Sequence, residues 1–270
     1  MTRRMSVRTA ALHVLAAILT VSLLSSCGST PGGDGARQAM SQEVPTSDTR
    51  QKAKVRTELA ALYLQDNRLA IALEEARLAI AADKAYAPAY NILGLTHMML
   101  GENTQAEENF ERALKEAPGD PEITNNYGWF LCQTGRERKS IDYFLRAARN
   151  PLYNAPTRPY TSAGICLVRL KDDSAAEQNL QRALQYDPRN PQAIFWMAEI
   201  AYRNKRYADA KQWLFELEKL VELDAEVTWL ALRAERRLGN REGEVRHAGQ
   251  LRRKFSSSPE YKKLQQGDYE

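Results

Sequence analysis

The sequence is poor in the residues that usually perform chemistry. Its 270 residues include three His and three Cys. No HExxH, GxSxG, P-loop or Cys-rich zinc spacing occurs. Gly32, Gly33 and Gly35 cluster, but no strand–helix context surrounds them to cradle a phosphate. His13 lies in an N-terminal apolar run, His97 takes a core position of a helical pattern, and His247 stands alone near the far end. Function has to be argued from a site. Without one, the sequence gives no grounds for an enzyme, a cofactor, a metal or a small-molecule substrate. One-sided charge is missing as well. The formal net charge is +4, but residues 1–26 carry three Arg and no acid, which leaves 4 − 3 = +1 for the rest. A nucleic-acid partner would want a basic face or stripe, and this balance does not supply one.

What is present begins with an export signal. Arg3, Arg4 and Arg8 precede an apolar run, Ala10–Leu24, interrupted by His13, Thr20 and Ser22. Leu24-Ser25-Ser26-Cys27 then places small residues before a cysteine. The run falls short of the about 20 residues that a transmembrane helix needs, which disfavours the other reading, an uncleaved anchor. Leu-Ser-Ser-Cys resembles the bacterial lipobox, which implies cleavage after residue 26 and acylation of Cys27. Each buried methylene contributes about 0.8 kcal/mol and stable anchoring takes two chains, so three would hold the protein at the membrane. Gly28 stands where Asp usually implies inner-membrane retention, so the resemblance points to the outer membrane. Cys132 and Cys166 remain. In an oxidising periplasm such a pair favours a disulfide; the other reading is two buried thiols acting as small hydrophobes. A bridge would close a loop of about 35 residues.

Residues 27–49 have few large apolar groups and cannot offset their ordering entropy. They read as a flexible tether reaching roughly 25 Å. Further on, apolar residues recur at helical spacing and strand-like alternation is absent. The decisive feature is self-similarity. Leu93, Gly94, Ala106, Phe110, Ala113 and Leu114 become Tyr127, Gly128, Ser140, Phe144, Ala147 and Ala148 after a shift of 34. The opposite shift gives Leu59, Ala60, Ala72, Ala76, Ala79 and Ile80. Ala163, Gly164, Ala176, Leu180, Ala183 and Leu184 form another copy, two residues late, with Ala155-Pro156 at the insertion point. Met197, Ala198, Ala210, Leu214 and Leu217 form the next. Small residues permit close helix crossings, and Phe110 and Phe144 fill the space between repeats.

This is the tetratricopeptide pattern. It predicts an all-α fold, a right-handed α-solenoid of antiparallel helix pairs. The array runs over 50–258, with repeats near 53–86, 87–120, 121–154, 157–190 and 191–224 and a degenerate, arginine-rich cap over 225–258. The tail, 259–270, reads as a short helix that frays. In proteins of this pattern the first helix of each repeat lines a concave groove. The matching positions here are Asn91, Leu95 and Met98; Asn125 and Trp129; Ile165 and Arg169; Phe195 and Tyr202; and Trp229. Glu199, Arg203, Arg233, Arg236 and Arg237 extend the series. The groove is thus apolar and aromatic centrally and arginine-rich toward its end, with residue types enriched in binding hot spots. The competing reading is that many of these side chains pack between repeats. Trp129 and Asn125 are expected to form the centre of a peptide or helix site.

A narrower resemblance rests on three segments. Asn125-Asn126-Tyr127-Gly128-Trp129-Phe130-Leu131-Cys132, Asn150-Pro151-Leu152-Tyr153-Asn154-Ala155-Pro156 and Ala163-Gly164-Ile165-Cys166 are similar to the type IV pilus biogenesis and stability lipoproteins of the PilF/PilW type. The resemblance implies an outer-membrane pilotin, lipid-anchored and facing the periplasm, that helps the pilus secretin localise and multimerise. It also implies the Cys132–Cys166 bridge. The expected partners are the secretin or another envelope protein and, through acyl chains, the membrane; the protein itself is expected to be monomeric. The alternatives are an outer-membrane repeat lipoprotein serving β-barrel assembly or one organising peptidoglycan enzymes.

Overall fold

The computed structural model describes residues 44–269 apart from 152, 154 and 155. The export signal, Cys27 and Gly28 lie outside the described residues. Within them the regular elements are thirteen helices and no strand. Twelve pair up in chain order: α1 (Val44–Gln65) with α2 (Leu69–Ala82), α3 (Ala87–Met99) with α4 (Asn103–Glu116), and α5 (Pro121–Gln133) with α6 (Glu137–Ala148). Then come α7 (Thr157–Arg169) with α8 (Asp173–Tyr186), α9 (Pro191–Arg203) with α10 (Tyr207–Glu218), and α11 (Ala225–Arg237) with α12 (Arg241–Lys254). A last helix, α13, covers Pro259–Gln266. None of these is long and apolar enough to cross a membrane.

Local chemistry sets the helix starts. Asp120 and Asn190 accept hydrogen bonds from the backbone N–H groups of Ile123 (2.9 Å) and Ala193 (2.8 Å). Pro121 and Pro191 follow at the first helical position, where a missing N–H costs nothing. The turn inside each pair needs one left-handed residue. Asn67, Gly101, Gly135, Lys171, Lys205 and Gly239 supply it, with φ between 56° and 80°. Their spacing repeats at 34 except across the two-residue insertion, so the backbone carries the same period as the side chains.

Small residues let the helices of a pair approach. A Cβ added at Gly94 would lie 2.9 Å from the Phe110 ring, and one at Gly128 would lie 2.9 Å from the Phe144 ring. Both rings are fully buried and have nowhere to move. Ion pairs repeat with the array too. Arg136 binds Glu107, and Arg206 holds Glu177 through two bonds of 3.1 and 2.9 Å. His97 is buried with its Nδ1 2.5 Å from Glu102, a core histidine with a partner.

Two boundaries differ from those read in the sequence. Helix α1 begins at Val44, ahead of residue 50. The tail does not stand apart as a fraying helix. Helix α13 contacts α11 and α12, and Tyr261, Leu264 and Tyr269 pack on Trp229, Leu232 and Leu251. Those last three would be a solenoid's exposed end. Burying such an end is the role of a cap.

Candidate partner-binding groove

The odd-numbered helices form one wall of the array. Helix α1 touches α3, and the contacts continue α3–α5, α5–α7, α7–α9 and α9–α11. Among the described residues no two of α2, α4, α6, α8, α10 and α12 touch. Elements that converge lie inside an arc and elements that splay lie outside it. The odd-numbered helices therefore line the concave face.

The structure divides the expected groove residues in two. Leu95, Met98, Trp129, Phe195 and Tyr202 are half-buried and Arg169 is exposed. Asn91, Asn125, Ile165 and Trp229 are 6%, 2%, 4% and 4% exposed, so they are corrected from groove to interior. The reason differs for each. Asn91 and Asn125 belong to an amide chain between helices: Asn125 Nδ2 donates to Asn126 Oδ1 (3.4 Å), and Asn126 Nδ2 donates to Asn91 Oδ1 (3.2 Å). Arg158 donates to the same Asn126 oxygen and pairs with Glu122, which also accepts from Tyr153 at 3.0 Å. Buried amides need partners, and Asn126 finds them on both sides, tying α3, α5 and α7 together, while Asn125 Oδ1 is buried without one. Ile165 is enclosed on α7, one residue before Cys166. Trp229 is covered by Tyr269, whose ring stacks on it at 5.6 Å. The expectation that Asn125 shares a site with Trp129 therefore fails.

Trp129 keeps a different companion. The Arg169 guanidinium lies 5.9 Å from its ring centre. That side chain donates to the Cys132 carbonyl (3.4 Å) and to Gln133 Oε1 (3.1 Å). Beneath them Cys132 and Cys166 form a disulfide with a Cα separation of 6.0 Å. Both are fully buried and pack with Phe144 and Ala163, and Trp129 rests against this cluster. One patch thus joins a rigid aromatic, a guanidinium and a covalent tie between α5 and α7. A held aromatic beside an exposed Arg loses little entropy when it binds.

Farther along, Phe195 meets Trp196 edge-on at 5.3 Å. Arg233 lies over both Tyr202 (4.7 Å) and Trp229 (5.8 Å). Glu199 on α9 is well removed from water, and that burial raises its pKa above the usual carboxylate range although Arg233 opposes the shift. Among the described residues no group of three His, Cys, Asp or Glu side chains is placed to hold a metal ion.

Two family models described as tetratricopeptide repeat match the chain, one at residues 57–121 and again at 93–156, the other at 167–234. Together they cover more than half of it. The chain is a tetratricopeptide-repeat protein.

Comparison with individual proteins narrows the likeness within this family. The Type IV pilus assembly protein PilF of Pseudomonas aeruginosa is 24% identical over 208 residues, covering 77% of this chain and 82% of PilF. The crystal structure of PilW, a widely conserved type IV pilus biogenesis factor, superposes with a TM-score of 0.74 at 28% identity, over 78% of this chain and 97% of that one. The P. aeruginosa PilF structure superposes with a TM-score of 0.73 at 23% identity, over 82% and 99%. The PilF/PilW resemblance read from the sequence is borne out, and it supports a role in type IV pilus biogenesis.

Sequence reasoning missed several residues that shape this tetratricopeptide-repeat groove. Glu122 and Arg158 fasten the centre, and each takes the second position of its repeat, a groove-facing position of the pattern, so the signal was there but their pairing between neighbouring repeats was not legible. Tyr269 lies beyond the array and has no repeat signal at all. Its effect on Trp229 follows only from the docking of the tail.

Proposed function

We propose that this protein is an outer-membrane lipoprotein scaffold for type IV pilus biogenesis, a pilotin that binds the pilus secretin and promotes its localisation and multimerisation. The observation that carries the proposal is the match to PilW over 97% of that structure at 28% identity. The mechanism needs no chemical step. Acyl chains on Cys27 supply the membrane address, and the groove supplies protein affinity. Joining the two raises the partner's effective concentration at the membrane. The Trp129–Arg169 patch, held by the disulfide beneath it, is the proposed centre of that affinity.

Deletion of the gene tests the role. Secretin monomers should accumulate and surface pili should vanish, and wild-type protein should restore both. Cys27→Ser should leave the protein unanchored and fail to restore assembly. Trp129→Ala should weaken secretin capture while keeping the helical circular-dichroism signal, because the ring lies on the face of the array. Normal secretin multimers in the deletion strain would refute the pilotin role.

A further inference from the structure

Charge is not shared evenly along the chain. Residues 241–266 carry seven Lys and Arg against three Glu, 7 − 3 = +4. Residues 27–270 sum to +1, so the remainder carries 1 − 4 = −3. The excess sits on α12 and α13. On α12 the buried residues Gly243, His247 and Leu251 recur every four positions and mark the side packed inward. The opposite, outer side exposes Arg241, Val245, Arg246, Arg252 and Arg253, with Glu242 as its acid. Val245 is 69% exposed.

Ion pairing does not consume these charges. Lys254 is held by Glu222, and Glu244 is taken by Arg236. Among the described residues no carboxylate lies within 4.0 Å of the guanidinium nitrogens of Arg246, Arg252 or Arg253. Arg246 meets the His247 ring at 3.2 Å and shares the cleft toward α10 with Glu218 and the Lys211–Glu235 pair. Arg253 lies back over Gly249, where an added Cβ would come 3.1 Å from its Nη1. Two guanidinium groups thus flank a bare stretch of helix with no acid between them.

Other helices on the same side of the array do not share this character. Helix α4 exposes Glu108 and Glu111 against Arg112 and Lys115, and α10 exposes Asp209 and Glu218 against Lys211. Helix α6 comes nearest, with Arg138, Lys139 and Arg146 against Asp142. A terminal repeat needs a polar outer face to stay soluble, but mixed charge meets that need, as α4 shows. Shape points the same way. Helix α12 belongs to the convex side, so its outer face bulges outward and encloses nothing. A peptide is gripped by a groove, whereas a bulging cationic face with an aliphatic residue at its middle suits a flat anionic surface.

We propose that the outer face of α12 rests on an anionic phospholipid surface. Arg246, Arg252 and Arg253 donate to lipid phosphate oxygens, and Val245 meets the headgroup layer between them. The assignment rests on the reading of the protein as held at a membrane and names the face that meets the lipid. It leaves the concave groove, on the other side of the array, open to a partner.

The test uses residues 27–270 with Cys27→Ser, so that neither signal nor acyl chain contributes; the described helices begin at Val44 and stay whole. Binding to sedimented phosphatidylethanolamine vesicles is measured with and without phosphatidylglycerol. Each cation near an anionic surface contributes roughly fivefold, so phosphatidylglycerol should raise binding by about a hundredfold. The gain should vanish between about 0.1 and 1 M salt, as the screening length falls from about 10 to 3 Å. Arg246→Gln, Arg252→Gln and Arg253→Gln together should remove most of it. All three side chains are exposed, and an unchanged circular-dichroism signal checks the fold. The matched control on α6, Arg138→Gln with Lys139→Gln and Arg146→Gln, removes the same charge and should keep most of the gain. Equal binding to the two kinds of vesicle, or an equal loss in both triple variants, overturns the proposal. Capture of the chain through α12 by an acidic peptide, with no vesicle binding, overturns it too. No vesicle binding, combined with secretin assembly that fails in Cys27→Ser, would remove this face alone. Vesicle binding with normal secretin multimers in the deletion strain would leave the face and defeat the pilotin reading.

Discussion

Reduction of the Cys132–Cys166 bridge tests how the centre of the array is held. The two cysteines are 34 residues apart in sequence. Closing a loop of that length removes unfolded-state entropy equivalent to about 3–4 kcal/mol on the chain-entropy account. Little native packing needs to change, because both sulfur atoms lie in a closed cluster with Phe144 and Ala163 and reduced thiols still fill it. The loss should therefore act mainly through the unfolded chain. Urea unfolding followed by circular dichroism, with and without a phosphine reductant, measures it. With a slope of about 2 kcal/mol per molar urea, the midpoint should fall by about 2 M. Nearest-neighbour coupling in a solenoid adds a second signature. Hydrogen exchange should rise first in α5 and α7, where the bridge is the covalent tie, and last in α1 and α2. A stability change below about 1 kcal/mol would refute the reasoning, because the loop would then restrict an already restricted unfolded state.

Three further perturbations probe the repeat logic. Lys205 adopts a left-handed backbone with φ 60°, where Gly101 and Gly135 serve the same turn; Lys205→Gly should stabilise the protein by about 0.5–1 kcal/mol, read as a raised thermal midpoint. Gly128→Ala places a Cβ against the fully buried Phe144 and should cost about 1–2 kcal/mol, and adding Phe144→Leu should recover part of that loss in a double-mutant cycle. Burial raises the Glu199 pKa, so the folded state holds its proton more tightly than the unfolded chain does. Its contribution to stability is then lost as pH rises from the ordinary carboxylate value through the raised one. Glu199→Gln should therefore raise the thermal midpoint at neutral pH and change it little in acid; a gain that is equal at both would remove burial of the charge as the cause.

The repeats were legible because one physical demand recurs at each crossing. A pair of helices needs a small residue opposite whatever fills the gap, and the chain answers with matched volumes. Gly94 faces Phe110 and Gly128 faces Phe144, while Ala198 and Leu214 share the equivalent positions later on. Sequence alone shows such matching, since both partners lie within one period. The groove was legible only in part. Asn91 and Asn125 occupy the positions that face a groove in the general pattern, yet they turn into an amide chain with Asn126. That choice depends on which residue the neighbouring repeat offers, and spacing does not encode it. Trp229 had the same weakness. Its burial needs Tyr269, forty residues away and outside the period.

The corrections change how the face can recognise a partner. With Asn91, Asn125, Ile165 and Trp229 buried, the expected groove residues that stay at the surface of the odd-numbered helices are Leu95, Met98, Trp129, Arg169, Phe195 and Tyr202. Their backbones are fixed by contacts between repeats rather than by a ligand. Arg169 illustrates this, since it anchors on the Cys132 carbonyl while lying near the Trp129 ring. A face built in this way is preorganised, so less ordering cost falls on the binding step. Its two regions also differ in kind. The central patch offers one ring, Trp129, and one guanidinium, Arg169, whereas the far end gathers Arg233, Arg236, Arg237 and Arg241. A segment that spans both can satisfy them in one direction only. If the groove holds the partner as proposed, the gradient along α5 to α11 sets the orientation of the bound segment, which electrostatic complementarity does more effectively than it raises affinity.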